Sequence, residues 1–193
     1  MKNVRVCGPK ARAPKGAVVV NTTSHSDNWS KGLSPFFLGP VPLYDGMVAK
    51  NVENAWQYSK LYAENADADG NPTEKHWAWA KAGFANNRAV RYPMGKGAKP
   101  LCSLWKGEKL GYIEARKRVY VPLYAGAVKK ADAYQRLVEV CKRHEACGEE
   151  VWLWDFDGYD HVAMGMSLSD VASNEARPMG HAFVLAALLQ NEA

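Results

Sequence analysis

The chain has 193 residues, enough to bury one real core with little room for a second domain. Its 47% hydrophobic and 23% charged residues exclude wholesale disorder. No apolar run approaches the roughly 20 residues of a membrane span, and the opening MKNVRVCGPKARAPKG lacks the apolar region of a secretory signal, so a cytoplasmic protein with no membrane partner is expected. The net charge of +5 permits a phosphate-bearing partner, but Lys and Arg are spread along the chain, so a mildly basic surface is the plainer reading.

Residues 1–15, rich in Lys, Arg, Pro and Gly, read as a flexible lead-in, with a single domain over 16–193. Ala17–Asn21 is β-branched and predicts a strand. Thr22–Gly46 is a long polar, Gly/Pro-rich stretch whose aromatics Trp29, Phe36, Phe37 and Tyr44 suggest a loop folded over a site. Asn51 is a natural N-cap, and Val52–Glu64 contains no Gly or Pro, which predicts a helix. Along it Glu53, Gln57, Lys60 and Glu64 share one polar stripe.

A second helix is expected over His76–Phe84, followed by a basic loop, ANNRAVRYPMGKGAKP. Lys109–Val121 can form a helix that Pro122 ends or kinks. Ala131–Arg143 places Tyr134, Leu137, Val138 and Cys141 on one helical face. VWLWDF (151–156) reads as a strand entering the acidic turn DFDGYDH, and a helix from Met179 to Gln190 closes the chain. The sum is a mainly helical α+β domain with a small β-sheet.

Four cysteines without paired spacing suggest a reducing compartment. Cys141 and Cys147 flank His144, but no second ligand pair exists, so a core thiol is favoured over zinc. Phosphate-loop, dinucleotide, nucleophile-elbow and zinc-protease signatures are missing from the sequence. Two places could carry chemistry. Glu53 lies in the first turn of its helix beside Trp56, where burial raises and the dipole and Lys60 lower a carboxyl pKa; a solvated helix face is the bland alternative. Asp155, Asp157 and Asp160 follow a strand, although Asp and Gly are also what turns use.

Taken in order, these segments resemble the NADAR family, linked to NAD and ADP-ribose metabolism, from about Val18 to Leu189. The family's FSNF-like motif and DG turn correspond to Leu33–Phe36 and Asp45-Gly46. Its E-H-x-x-Q-x-x-K helix matches Glu53, Asn54, Gln57 and Lys60. Its M-G-R, K-P-L and Trp segments match Met94-Gly95-Lys96, Lys99-Pro100-Leu101 and Trp105, with Lys109 four residues on. The acidic Trp-containing stretch corresponds to Trp154–Asp160, and the closing helix to Met179-Gly180-His181 and beyond. Asn54 replaces a His and Lys96 an Arg.

The resemblance implies a NADAR-like fold and a metal- and cofactor-independent N-glycosidase. The substrate it implies is an ADP-ribosylated base, such as ADP-ribosyl-guanine carried on nucleic acid, or a related ribosylamine nucleotide. Breaking a ribose–nitrogen bond builds positive charge at the anomeric carbon, which a carboxylate stabilises. Glu53 suits that role, assisted by one carboxylate among Asp155, Asp157 and Asp160. Trp56, Trp105 or Trp154 can stack on a base or pack in the core. Gln57, Lys60, Arg91, Lys96, Lys99 and Lys109 can meet the ligand or its phosphates. Asn21 and Ser34 can bond a ribose or cap turns. The departures at Asn54 and Lys96 favour an alternative, a non-catalytic ADP-ribose or nucleotide-binding module.

Overall fold

A computed structural model describes Met1 and residues 3–191. The chain forms two compact units, one built from its two ends (Met1–Ser34 and Tyr124–Ala193) and one from its middle (Pro35–Leu123). Helices and small sheets mix in both, the α+β composition expected from the sequence.

The first unit is organised on three parallel strands, β1 (Val4–Cys7), β2 (Val18–Asn21) and a later strand, β8 (Val151–Trp154), which lies between them. Val151 pairs with both Val4 and Val18, and Trp154 with both Cys7 and Asn21. Val151, Trp152 and Leu153 are all buried, as a strand covered on both faces requires. The expected lead-in therefore contains a strand: Val4, Val6 and Cys7 are buried against β8. Four residues amid Lys, Pro and Gly make too short a pattern to read without the partner strand.

Within this unit a 3₁₀ turn, Trp29–Leu33, packs against α5 (Asp132–Ala146). Tyr134, Leu137, Val138 and Cys141 form the buried stripe of α5, as their spacing predicts. Burial pushes the Cys141 thiol up to about 12. α6 (Leu168–Ser173) begins with a capping box between Ser167 and Asp170. α7 (His181–Asn191) follows, and its first six residues are all buried.

The second unit opens with the short hairpin β3 (Val41–Pro42) and β4 (Val48–Ala49). Its tip, Tyr44–Met47, carries positive φ at both Asp45 and Gly46, which is the turn geometry that an Asp-Gly pair favours. α1 then covers only Val52–Tyr58. The predicted continuation to Glu64 is wrong. Ser59 ends the helix, and Lys60–Leu61 becomes β5, pairing antiparallel with Ser103 and Cys102. Nothing in SKLYAE breaks a helix locally; strand pairing overrides propensity.

α2 (Glu74–Ala85) packs on α1 so closely that a Cβ at Gly83 would lie 2.0 Å from the Tyr58 ring. β6 (Cys102–Trp105) and β7 (Glu108–Leu110) form a two-residue hairpin through Lys106-Gly107, both at positive φ. Lys109, expected to open a helix, therefore lies in β7. The helical run begins with α3 (Tyr112–Ala115), widens to a π segment (Arg116–Tyr120), and continues as α4 (Val121–Val128). Pro122 therefore neither ends nor starts a helix. The Val121 N–H reaches back to the Arg116 carbonyl, and this wide turn absorbs a residue that has no N–H of its own.

Candidate functional site

The second unit holds a buried polar chain. Asn51 caps α1, its side chain accepting from the Asn54 amide at 2.8 Å. Glu53 follows in the first turn, only 6% exposed. Its Oε1 accepts from Gln57 Nε2 at 2.8 Å, and Gln57 Oε1 accepts from Lys60 Nζ at 2.7 Å. The Gln57 amide thus presents its donor to the carboxylate and its acceptor to the ammonium, the one orientation that suits both charges.

Lys60 reaches this position from β5, not from the helix, so the stripe read from spacing exists only through Gln57. Glu64, expected on the same stripe, is exposed in a separate 3₁₀ turn, Ala63–Asn65. Burial pushes the Lys60 ammonium down to about 8, against the opposing pull of Glu53. Its Nζ lies 4.7 Å from the Trp56 ring centroid, and that ring meets Tyr120 at 5.3 Å. Trp56 flanks an apolar cluster of Tyr44, Trp105, Leu110, Ala115 and Val119. The chain of charges therefore runs beside an apolar wall.

Asn54, where the resemblance expects a His, is fully buried. Its Nδ2 donates to the Asn86 and Arg88 carbonyls and its Oδ1 accepts from the Val90 amide, all at 2.9 Å. The residue next to Glu53 thus pins the start of the basic loop.

The other predicted positions in this unit are spread over several settings. Trp105 is buried edge-to-face against Tyr44 in the apolar cluster. Arg91 stacks on Tyr92 at 5.4 Å, while Lys96 and Lys99 are exposed. Lys109 donates to Asn71 at 2.8 Å. Arg116, not singled out in the sequence, is 2% exposed with its guanidinium 4.5 Å from the Tyr112 ring. Only the π turn that carries it distinguishes it, and that turn is invisible in the sequence.

The remaining predicted residues belong to the first unit. Asn21 Oδ1 accepts from the amide and hydroxyl of Thr23, and Ser34 is buried with its amide donating to Lys31. Trp154 is half-buried beside Phe156. Asp155 is buried and held by α7: Oδ2 lies 3.0 Å from His181 Nδ1 and accepts from the Ala182 amide at 3.1 Å. Oδ1 accepts from the Asp157 amide, which places Asp157 beside Asp155 through its backbone. The His181 partner and the amide donors outweigh burial and hold the Asp155 carboxyl down at about 2.

His181 Nε2 faces the Thr22 carbonyl at 2.8 Å. Acceptors face both ring nitrogens, a carboxylate at Nδ1 and a backbone carbonyl at Nε2, so the ring is held between β8 and the chain after β2. Gly180 leaves the room: a Cβ there would lie 2.2 Å from Asp155 Oδ2. The arrangement ties the end of β8 to the start of α7, so the structure gives Asp155 a positioning task. His181 is a partner that its place in a predicted closing helix did not reveal.

No group of His, Cys, Asp and Glu among the described residues is arranged to hold a metal ion, and no helix among them is long and apolar enough to cross a membrane. No curated protein and no solved structure matches the chain. A family model does match residues 8–185, under the description Family of unknown function (DUF6939), and the chain belongs to that family.

Proposed function

We propose that the protein is a metal-independent N-glycosidase that hydrolyses the ribose–base bond of an ADP-ribosylated base or a related ribosylamine nucleotide. The observation that carries this reading is Glu53, a buried carboxylate linked through Gln57 to the partly buried ammonium of Lys60. The ordered likeness of the surrounding segments to NADAR proteins supports the choice of substrate. As the C1–N bond breaks, Glu53 stabilises positive charge at the anomeric carbon and orients the attacking water. Water supplies the new C1–OH, and its proton ends on the departing base. Lys60 offers its charge to a substrate phosphate.

The test incubates the purified chain and its Glu53→Gln variant with DNA bearing ADP-ribosylated guanine, and with ribosylamine nucleotides. Mass spectrometry then reads free ADP-ribose or free base. Release by the native chain, lost by at least a hundredfold in a variant that still binds, supports the reading. Tight binding with the ligand intact after long incubation replaces it with the binding-module alternative.

A further inference from the structure

The chain's net charge of +5 is not shared between the two units. Counted over the sequence, the first unit has 12 Lys and Arg against 12 Asp and Glu, whereas the second has 13 against 8. Within the second unit, residues 86–101 carry Arg88, Arg91, Lys96 and Lys99 and no carboxylate. Residues 95–101 are exposed without interruption.

The segment is held at both ends. Asn54 fixes Asn86, Arg88 and Val90, and Leu101 donates to the Leu61 carbonyl at 2.8 Å before the chain enters β6. Between these anchors Gly95 and Gly97 both sit at φ +91 with open space around them, and the neighbouring Lys96 and Lys99 are exposed. Tyr92, 48% exposed, lies in the same segment with Arg91 stacked on its ring.

We infer that this anchored loop is a binding surface for single-stranded nucleic acid. Several cations along one segment with no carboxylate between them suit a phosphate backbone, and an exposed Tyr paired with Arg suits unpaired bases, whatever their sequence. An anionic bilayer would ask for an amphipathic helix or a run of exposed apolar residues, and the loop has neither. The inference goes beyond the hydrolytic reading and stands on the loop itself, so unmodified nucleic acid tests it.

The experiment measures fluorescence anisotropy of a labelled 20-nucleotide single-stranded DNA with the full chain at 50–200 mM salt. Binding is expected to weaken steeply with salt. Lys96→Glu with Lys99→Glu lowers affinity at least tenfold and flattens the salt slope by about 1.4, from roughly 0.7 per phosphate contact. Lys129→Glu with Lys130→Glu changes the net charge equally but on exposed residues of the first unit, and leaves affinity within twofold. Tyr92→Ala weakens binding severalfold without altering the slope. Absence of binding at 50 mM salt, equal loss in both charge-reversal pairs, or tighter binding to a duplex overturns the inference. So does equally Lys96- and Lys99-dependent binding to phosphatidylserine vesicles.

Discussion

Replacing Lys60 by Met tests the buried charge chain most directly. The folded ammonium has been pushed down to about 8 from an ordinary 10.5, chiefly by burial. At about 1.4 kcal/mol per unit, the fold disfavours the charged form by roughly 3 kcal/mol. A group whose folded value lies below its unfolded value binds more protons unfolded than folded between the two, so stability rises with pH through that window. The native chain should therefore gain up to about 3 kcal/mol relative to Lys60→Met as pH climbs from 8 to 10.5, and the difference should level off above that. Urea unfolding of both proteins across pH 7–11 measures it, and subtracting the two curves removes every other titrating group. Because Glu53 opposes the depression, the rise should begin at lower pH in a Glu53→Gln background. A flat difference, or a rise confined to pH above 10, would refute the placement of Lys60 in a desolvated relay.

Asp155→Asn should cost roughly 1–3 kcal/mol at neutral pH, read by thermal or urea unfolding, because it removes the buried carboxylate that meets His181 Nδ1 and the Ala182 amide. The native Asp155 carboxyl sits at about 2 against an ordinary 3.8. Its contribution is therefore complete above about pH 4 and is lost as pH falls towards 2, and an acid titration of unfolding should show this loss in the native chain alone. Asn54→Ala removes three hydrogen bonds to the 86–90 backbone. Trypsin should then cleave at Arg88 and Arg91 several times faster while the circular dichroism spectrum is kept; unchanged cleavage would show that the loop is held by something else. Gly83→Ala drives a methyl into the Tyr58 ring and should cost about 1–3 kcal/mol through overpacking of α1 on α2, visible as a lowered urea midpoint.

Local pattern was enough wherever an element's signal lies within its own residues. The apolar spacing of α5, the Asn51 cap of α1, the Asp-Gly turn and the continuous apolar run of β8 were legible because each rests on periodicity or backbone preference over a few neighbours. The nomination of Glu53 was legible as a carboxylate beside Trp56, and its burial is now visible. Its neighbours were not. Lys60 has helical spacing from Glu53, yet it arrives from a strand because β6 pairs with it, and pairing between residues some 40 positions apart leaves no mark on SKLYAE.

The same reason hid β1, whose partner lies at the far end of the chain, and the Asp155–His181 pair, whose members meet only when α7 starts at the end of β8. It also hid the charge asymmetry: lysines and arginines that look evenly spread along the chain are sorted by folding, which pools one balanced set from the two ends and leaves the excess in the middle. Composition class, helix faces and turn chemistry can be read without the fold, since they are local properties of adjacent side chains. Which charges are buried, and what each is paired with, emerges only on folding, because desolvation and pairing depend on residues brought together from distant parts of the chain.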